Sequence, residues 1–431
     1  MKRTILALLS LCTLLGARAE GGQGGSLDAL AIVRELSSSV YQGRQAGSPG
    51  GTKAGDYLLS QLRQLGIPAT ALAFSERVPV YVRRPRFAVT LPDAAPREFE
   101  FRKDYRDVTN GAWVEAKAKG PLVMVKDPGT SYPKGSIVVV SGDDYDQAWD
   151  AQFKKRGAAG ILVILDGPSI ERRATYPGQA PLQMATPRYG LVKMAISSGI
   201  MPFISEACAS GAVADLANPL GFEDRTCRNI LAKWNGDGGG FEPSVLFMAH
   251  YDHIGGEVDG RPFPGALDNA SGVALLLSLA EDYAQGGERE DVAFLLTDGE
   301  EINLSGASAF AGKPPFALSG LDVINMDMVG DARGTRLAIY SNGDERSKGL
   351  GRSLARALEA YGIESVERYP VYNVDSGPLG FAGARAVTLC EDDLVIYHTM
   401  RDTSAEVSGE ALASLESAIF DFARGRSPSA F

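Results

Sequence analysis

Histidine is nearly missing from this chain: three in 431 residues, at positions 250, 253 and 398. Cysteine is almost as rare, with four, which excludes a small scaffold stapled by many disulfides. There is no excess of positive charge. Forty-three Lys and Arg against 53 Asp and Glu leave a net charge of −10 and a pI near 5.1, so the basic footprint that nucleic-acid binding requires is absent. No stretch beyond the N-terminus is long and apolar enough to span a bilayer, so no membrane insertion is expected. No internal repeat is visible. What remains is ordinary for a globular protein, at 45% hydrophobic and 22% charged. The length exceeds what one core usually holds, which suggests a large domain with a smaller one.

Residues 1–19 read as a signal peptide. Lys2 and Arg3 open it, residues 5–16 form a short apolar core, and Ala17-Arg18-Ala19 makes a cleavage site. The apolar core is too short for an anchor helix. Leu11 stands before Cys12, where lipid attachment needs a small residue. Cleavage after Ala19 removes three basic and no acidic residues, so the remaining chain would carry about −13 instead of −10. The expected product is secreted or periplasmic. In such a compartment Cys208 and Cys227 could pair across the loop joining two domains, whereas Cys390 closes the apolar run AVTLC and reads as a buried hydrophobe.

Residues 26–39 and 52–65 have helical periodicity and flank the turn GRQAGSPGG, whose glycines and proline account for it structurally. Short alternating strands follow from 70 to 101. Residues 111–216 contain β-rich runs (GSIVVVS, GAAGILVIL) but no histidine, and read as an inserted module. The interrupted sheet is expected to resume at Asn229. The divisions are thus 26–110, 111–216 and 220–431. From there, apolar strand-length runs alternate with helices. That pattern predicts an α/β fold: a doubly wound, mostly parallel central sheet flanked by helices, with a smaller β-rich insertion.

The central stretch is residues 245–301. Two branched apolar runs, 245–249 and 292–297, each end in potential ligands: His250 with Asp252, and Glu300 with Glu301. Asp268 lies between them, just ahead of a helical pattern at 270–283. Either pair alone is weak, because strand ends often carry polar residues for solubility. The grouping of all three histidines beside acids and after apolar runs strengthens the case. In open α/β sheets, sites form at the carboxyl ends of strands. By type and placement the candidates are His250, Asp268, Glu300, Glu301, Asp327 and His398. One catalytic zinc needs three protein ligands; this set suits two metals sharing a bridging carboxylate about 3.5–4 Å apart. Asp268, central and short, is the natural bridge.

The motifs AHYDHIGG, GALDNASGVA, TDGEE, NMDMVG and YHTMRDT resemble, in order and spacing, the metal-site motifs of the di-zinc aminopeptidases of the bacterial leucyl aminopeptidase type. Their fold is shared by glutaminyl cyclases and transferrin-receptor-like proteins. The inserted block is similar to the protease-associated domain that some members carry. The resemblance implies two Zn2+ per chain, one held by His250 and Asp327 and the other by Glu301 and His398, with Asp268 bridging. It makes Glu300 the general base and Asp252 the partner that orients His250, and the substrates peptides cut at their N-terminus. His253 has no ligand role in this pattern and reads as structural. Where many members have Asp-His, this chain has Asp375-Ser376, which bears on substrate preference; Tyr372 lies in the same loop and is either an oxyanion donor or a packed tyrosine. Two alternatives remain: a glutaminyl cyclase, which needs one zinc, and a receptor-like homologue without metal. Neither the preferred N-terminal residue nor the oligomeric state is legible.

Overall fold

The computed structural model describes residues 27–108, 116–146, 148–165, 170–172, 191–234, 241–286, 291–341, 343–369, 373–393 and 395–425. The expected signal peptide and Tyr372 lie outside these residues. No helix among them is long and apolar enough to cross a membrane.

Two eight-stranded sheets organise the chain. In the first, the strands run side by side in the order Ala69–Tyr81, Leu220–Trp234, Val292–Thr297, Val245–His250, Asp322–Met326, Arg385–Glu391, Leu337–Ser341 and Ser365–Arg368. Pairing is parallel through the centre and antiparallel on either side of it, with one further parallel pair at the Ser365–Arg368 edge. Every residue of Val245–His250 and Val292–Thr297 is buried, as expected for strands covered on both faces. Alternate side chains explain this. Val245, Phe247, Ala249, Phe294 and Leu296 face helices Ala29–Leu36, Pro49–Gln64, Gly272–Gly286, Glu345–Ala360 and Gly409–Arg424. Leu246, Met248, Ala293 and Leu295 face the opposite layer, with Phe310, Phe316 and Leu379. Asp28 and Ser48 cap the first two helices, each accepting a first-turn N–H, and Pro49 occupies the opening position of the second. The doubly wound expectation holds.

The second sheet takes its strands from Arg86–Thr90 through Val213–Asn218. It therefore begins before residue 111: strands Arg86–Thr90, Arg97–Glu98 and Tyr105–Asp107 all pair within it. Alternation of apolar and polar residues marks these strands in the sequence, but not which sheet they join. Ala69–Tyr81 and Leu220–Trp234 pair antiparallel from Ala69↔Ala232 to Tyr81↔Leu220. This ribbon carries the chain from one sheet to the other and back, so the first sheet resumes at Leu220, ahead of Asn229.

The pairing of Cys208 with Cys227 does not form. Both are free thiols, as is Cys390. Cys208 lies on helix Met201–Ser210 against the core of the second sheet. Cys227 is packed with Ala46, Val78 and Ile302 near the first. Cys390 is buried in the main core, as expected.

Candidate metal centre

Register brings the candidates together. Val245–His250 runs parallel to Val292–Thr297 with His250 opposite Thr297, so residues 298–301 continue just past the imidazole. On its other side Met248 is level with Asn325, which sets Asp327 beside His250. Arg385–Glu391 is the next parallel strand, with Leu389 opposite Met326, and the loop after it carries His398. All these positions are carboxyl ends of parallel strands, where open α/β sheets build their sites.

Asp268 stands at the middle. Its backbone and that of Asn269 depart from helical angles just before helix Gly272–Gly286, which frees its side chain from the helix surface. Asp268 Oδ1 lies 3.5 Å from His250 Nε2, which is itself 3.2 Å from Asp327 Oδ1. Asp268 Oδ2 lies 3.2 Å from His398 Nε2 and 3.5 Å from His253 Nδ1. Glu301 closes that side, 2.9 Å from His398 Nε2 and 3.0 Å from His253 Nδ1. Two donor sets result, His250–Asp268–Asp327 and His253–Asp268–Glu301–His398, with Asp268 in both and all members buried. Glu300 belongs to neither.

The electrostatics are those of a crowded acidic pocket. Burial disfavours charge on His250, but Asp327 and Glu300 outweigh it and hold its pKa well above the ordinary value. Burial likewise opposes a charged His398, yet Glu301 and Asp268 lift it to about 9. Burial also opposes ionised Glu301, but His398 and His253 beside it hold that carboxyl well below its usual range. Glu300 moves the other way. Burial raises it and His250 opposes, while Glu301, Asp327 and Asp375 push it further up. The two neighbouring acids are thus shifted in opposite directions. His253 is lowered, chiefly by burial.

A second set of contacts holds the loops. Both Asp402 oxygens accept backbone N–H groups, from Leu267 at 2.6 Å and Asp268 at 3.0 Å. Asn269 donates to the Met326 carbonyl and accepts from the Gly272 and Met328 N–H groups, tying the Asp268 turn to the strand end that bears Asp327. Asp252 accepts the N–H groups of Glu300 and Glu301 at 3.1 and 3.3 Å. It faces His250 Nδ1 at 3.6 Å, while its own carbonyl lies closer, at 3.3 Å. Arg44 is fully buried. Its guanidinium donates to the carbonyls of Leu36, Tyr251, Pro264 and Gly265 at 2.7–2.9 Å, joining the N-terminal segment to the His250 and Asp268 loops. Arg44→Met is expected to cost at least about 3 kcal/mol, because several buried carbonyls lose their donor at roughly 1–3 kcal/mol each. A fall in the urea midpoint checks it; an unchanged midpoint would contradict the bracing role.

His250, Asp268, Glu301, Asp327 and His398 therefore converge, with Glu300 and Asp252 at the margin. His253, read from sequence as structural, joins the Glu301–His398 set; its spacing of three from His250 across a turning loop was the available signal. Arg44 and Asp402 were hidden inside motifs read for a turn and for His398 respectively. Asp375 is buried, with burial lifting its pKa to about 7, and accepts a hydrogen bond from the Thr297 hydroxyl.

The donor chemistry fits divalent cations: imidazole and carboxylate, with Asp268 Oδ2 and His253 Nε2 buried and without hydrogen-bond partners among the described residues. Such a cluster at the strand ends of a parallel-centred α/β sheet is a candidate divalent-metal centre. Comparison with known proteins agrees. Residues 229–423 match the model of Peptidase family M28. Aminopeptidase YwaD of Bacillus subtilis is 26% identical over 298 residues, covering 66% of this chain and 60% of that protein; the match thus spans less than two thirds of the relative's length. The zinc aminopeptidase BSAP of Bacillus subtilis has the same fold, with a TM-score of 0.67 at 20% identity over 93% of this chain and 94% of that one. A glutaminyl cyclase of Porphyromonas gingivalis superposes with a TM-score of 0.50 at 13% identity, over 93% and 98% of the two chains.

Proposed function

We propose that this chain is an exported metallo-aminopeptidase that holds two zinc ions and removes N-terminal residues from peptides. The observation that carries the reading is Asp268, whose two oxygens face two separate donor sets. His250 and Asp327 would hold one ion and Glu301 and His398 the other, with Asp268 shared. When bound, paired zinc ions lower the pKa of a water and polarise the scissile carbonyl.

The chain's own groups supply the rest. Glu300 is not a member of either donor set, so its carboxyl is free to take a proton from the attacking water and pass it to the departing amine. Asp252 fixes the backbone on which Glu300 and Glu301 ride. Asp402, Asn269 and Arg44 hold the loops so that the donors meet without rearrangement. Residues between strands of the second sheet pair with the segments that follow His253 and His398, through Arg102, 2.8 Å from Glu257, and Glu171, 3.1 Å from Arg401; we read that module as a wall that limits substrate size.

The test uses amino-acid anilides and a peptide with N-terminal Gln. Hydrolysis is expected, abolished by a chelator and restored by zinc, with no cyclisation of the Gln peptide. Cyclisation without hydrolysis would transfer the assignment to a glutaminyl cyclase, the fold shared at lower similarity. Purified protein without metal, and inert after zinc is supplied, would overturn both.

A further inference from the structure

Resting on the two-ion reading, we propose that His253 makes the two cation pockets unequal: its Nδ1–H holds Glu301, so the Glu301–His398 pocket is preset and fills first.

Several observations point the same way. His253 is completely buried, and its Nδ1 lies 3.0 Å from Glu301 Oε1. Its Nε2 has no partner among the described residues. A proton on Nδ1 therefore makes a good hydrogen bond and leaves only a bare lone pair unmatched; the other tautomer would bury an unmatched N–H, the rarer arrangement. The ring has little freedom. A Cβ on Gly265 would come within 2.5 Å of its Cδ2, and the His253 N–H donates to the Arg44 carbonyl at 3.2 Å. His253 thus acts from a fixed position.

What it holds needs holding. Glutamate has one more rotatable bond than aspartate, so ordering it at the moment of binding costs more rotamer entropy. His253 meets that cost during folding. The other pocket has no equivalent among the described residues. There the Asp327 side chain is hydrogen-bonded only to His250, which the two-ion reading uses to hold the ion, as it does not use His253. Asp252 stands 3.6 Å from His250 while its oxygens serve backbone N–H groups. Partners one step removed from a metal typically change its affinity about 10–100-fold, so a difference of that order between the pockets is expected.

The experiment titrates demetallated wild type, H253A and H253N with Co2+, following the visible absorption and the heat of binding. Wild type should fill in two steps separated by about tenfold or more. H253A should weaken the first step by about 10–100-fold and leave the second unchanged, and H253N, whose amide can still donate, should recover part of the loss. Two equal steps in wild type would overturn the proposal whether or not the variants fold. An unchanged H253A titration, or one weakened equally in both steps as general damage would produce, would overturn it too. Fewer than two ions bound by wild type would instead sink the two-ion reading beneath it.

Discussion

Glu300→Gln should lower kcat by about 10²–10⁴-fold while the protein keeps its metal and its fold, because a positioned acid–base group contributes that range and the amide cannot carry the proton. The substitution is nearly isosteric and changes no member of either donor set. KM should move little, since the proton transfers occur after binding. Steady-state kinetics on an aminoacyl anilide, with metal content measured on the same sample, decides the matter. Turnover near the wild-type level would remove Glu300 from its role. Loss of metal together with turnover would show instead that it is a ligand.

Asp268→Ala should be more damaging still, because it removes an oxygen from each donor set at once. Losing a partner one step removed from a metal costs about 10–100-fold in affinity. Losing a ligand shared by two ions should exceed that at both pockets. Metal content is expected to fall from two ions to one or none after dialysis, with hydrolysis at background. Folding should survive, since the backbone around residue 268 is held by Asp402 and Asn269, not by the Asp268 carboxylate. Retention of two tightly held ions would end the bridging assignment.

The residues of the two donor sets were legible because their chemistry is local. Apolar runs that end in His250, and close ahead of Glu300 and Asp327, announce strand ends, and five short motifs around the donors recur along the chain in an order that resembles one family. The frame that aims them was less visible. Asp402 acts on backbone N–H groups 134 and 135 residues earlier, and nothing in its neighbourhood signals that reach. Arg44 sits in a glycine-rich turn whose composition already explains it. His253 was set aside because the family pattern has no place for it, although its side chain enters the cluster. The extent of the second sheet was misjudged for a related reason: alternation reveals a strand, not its neighbour. Cys208 and Cys227 lie in one stretch of sequence yet belong to different cores, so compartment chemistry alone could not join them.

The guanidinium of Arg44 has a wider consequence. It reaches carbonyls 207 to 221 residues away, whereas the match to the family model starts only at residue 229. The keystone therefore comes from outside the recognisable arch. A fragment cut to those limits would possess every residue of both donor sets but would lack the arginine that ties their loops together, so a unit able to hold the cluster in shape must be longer than that stretch.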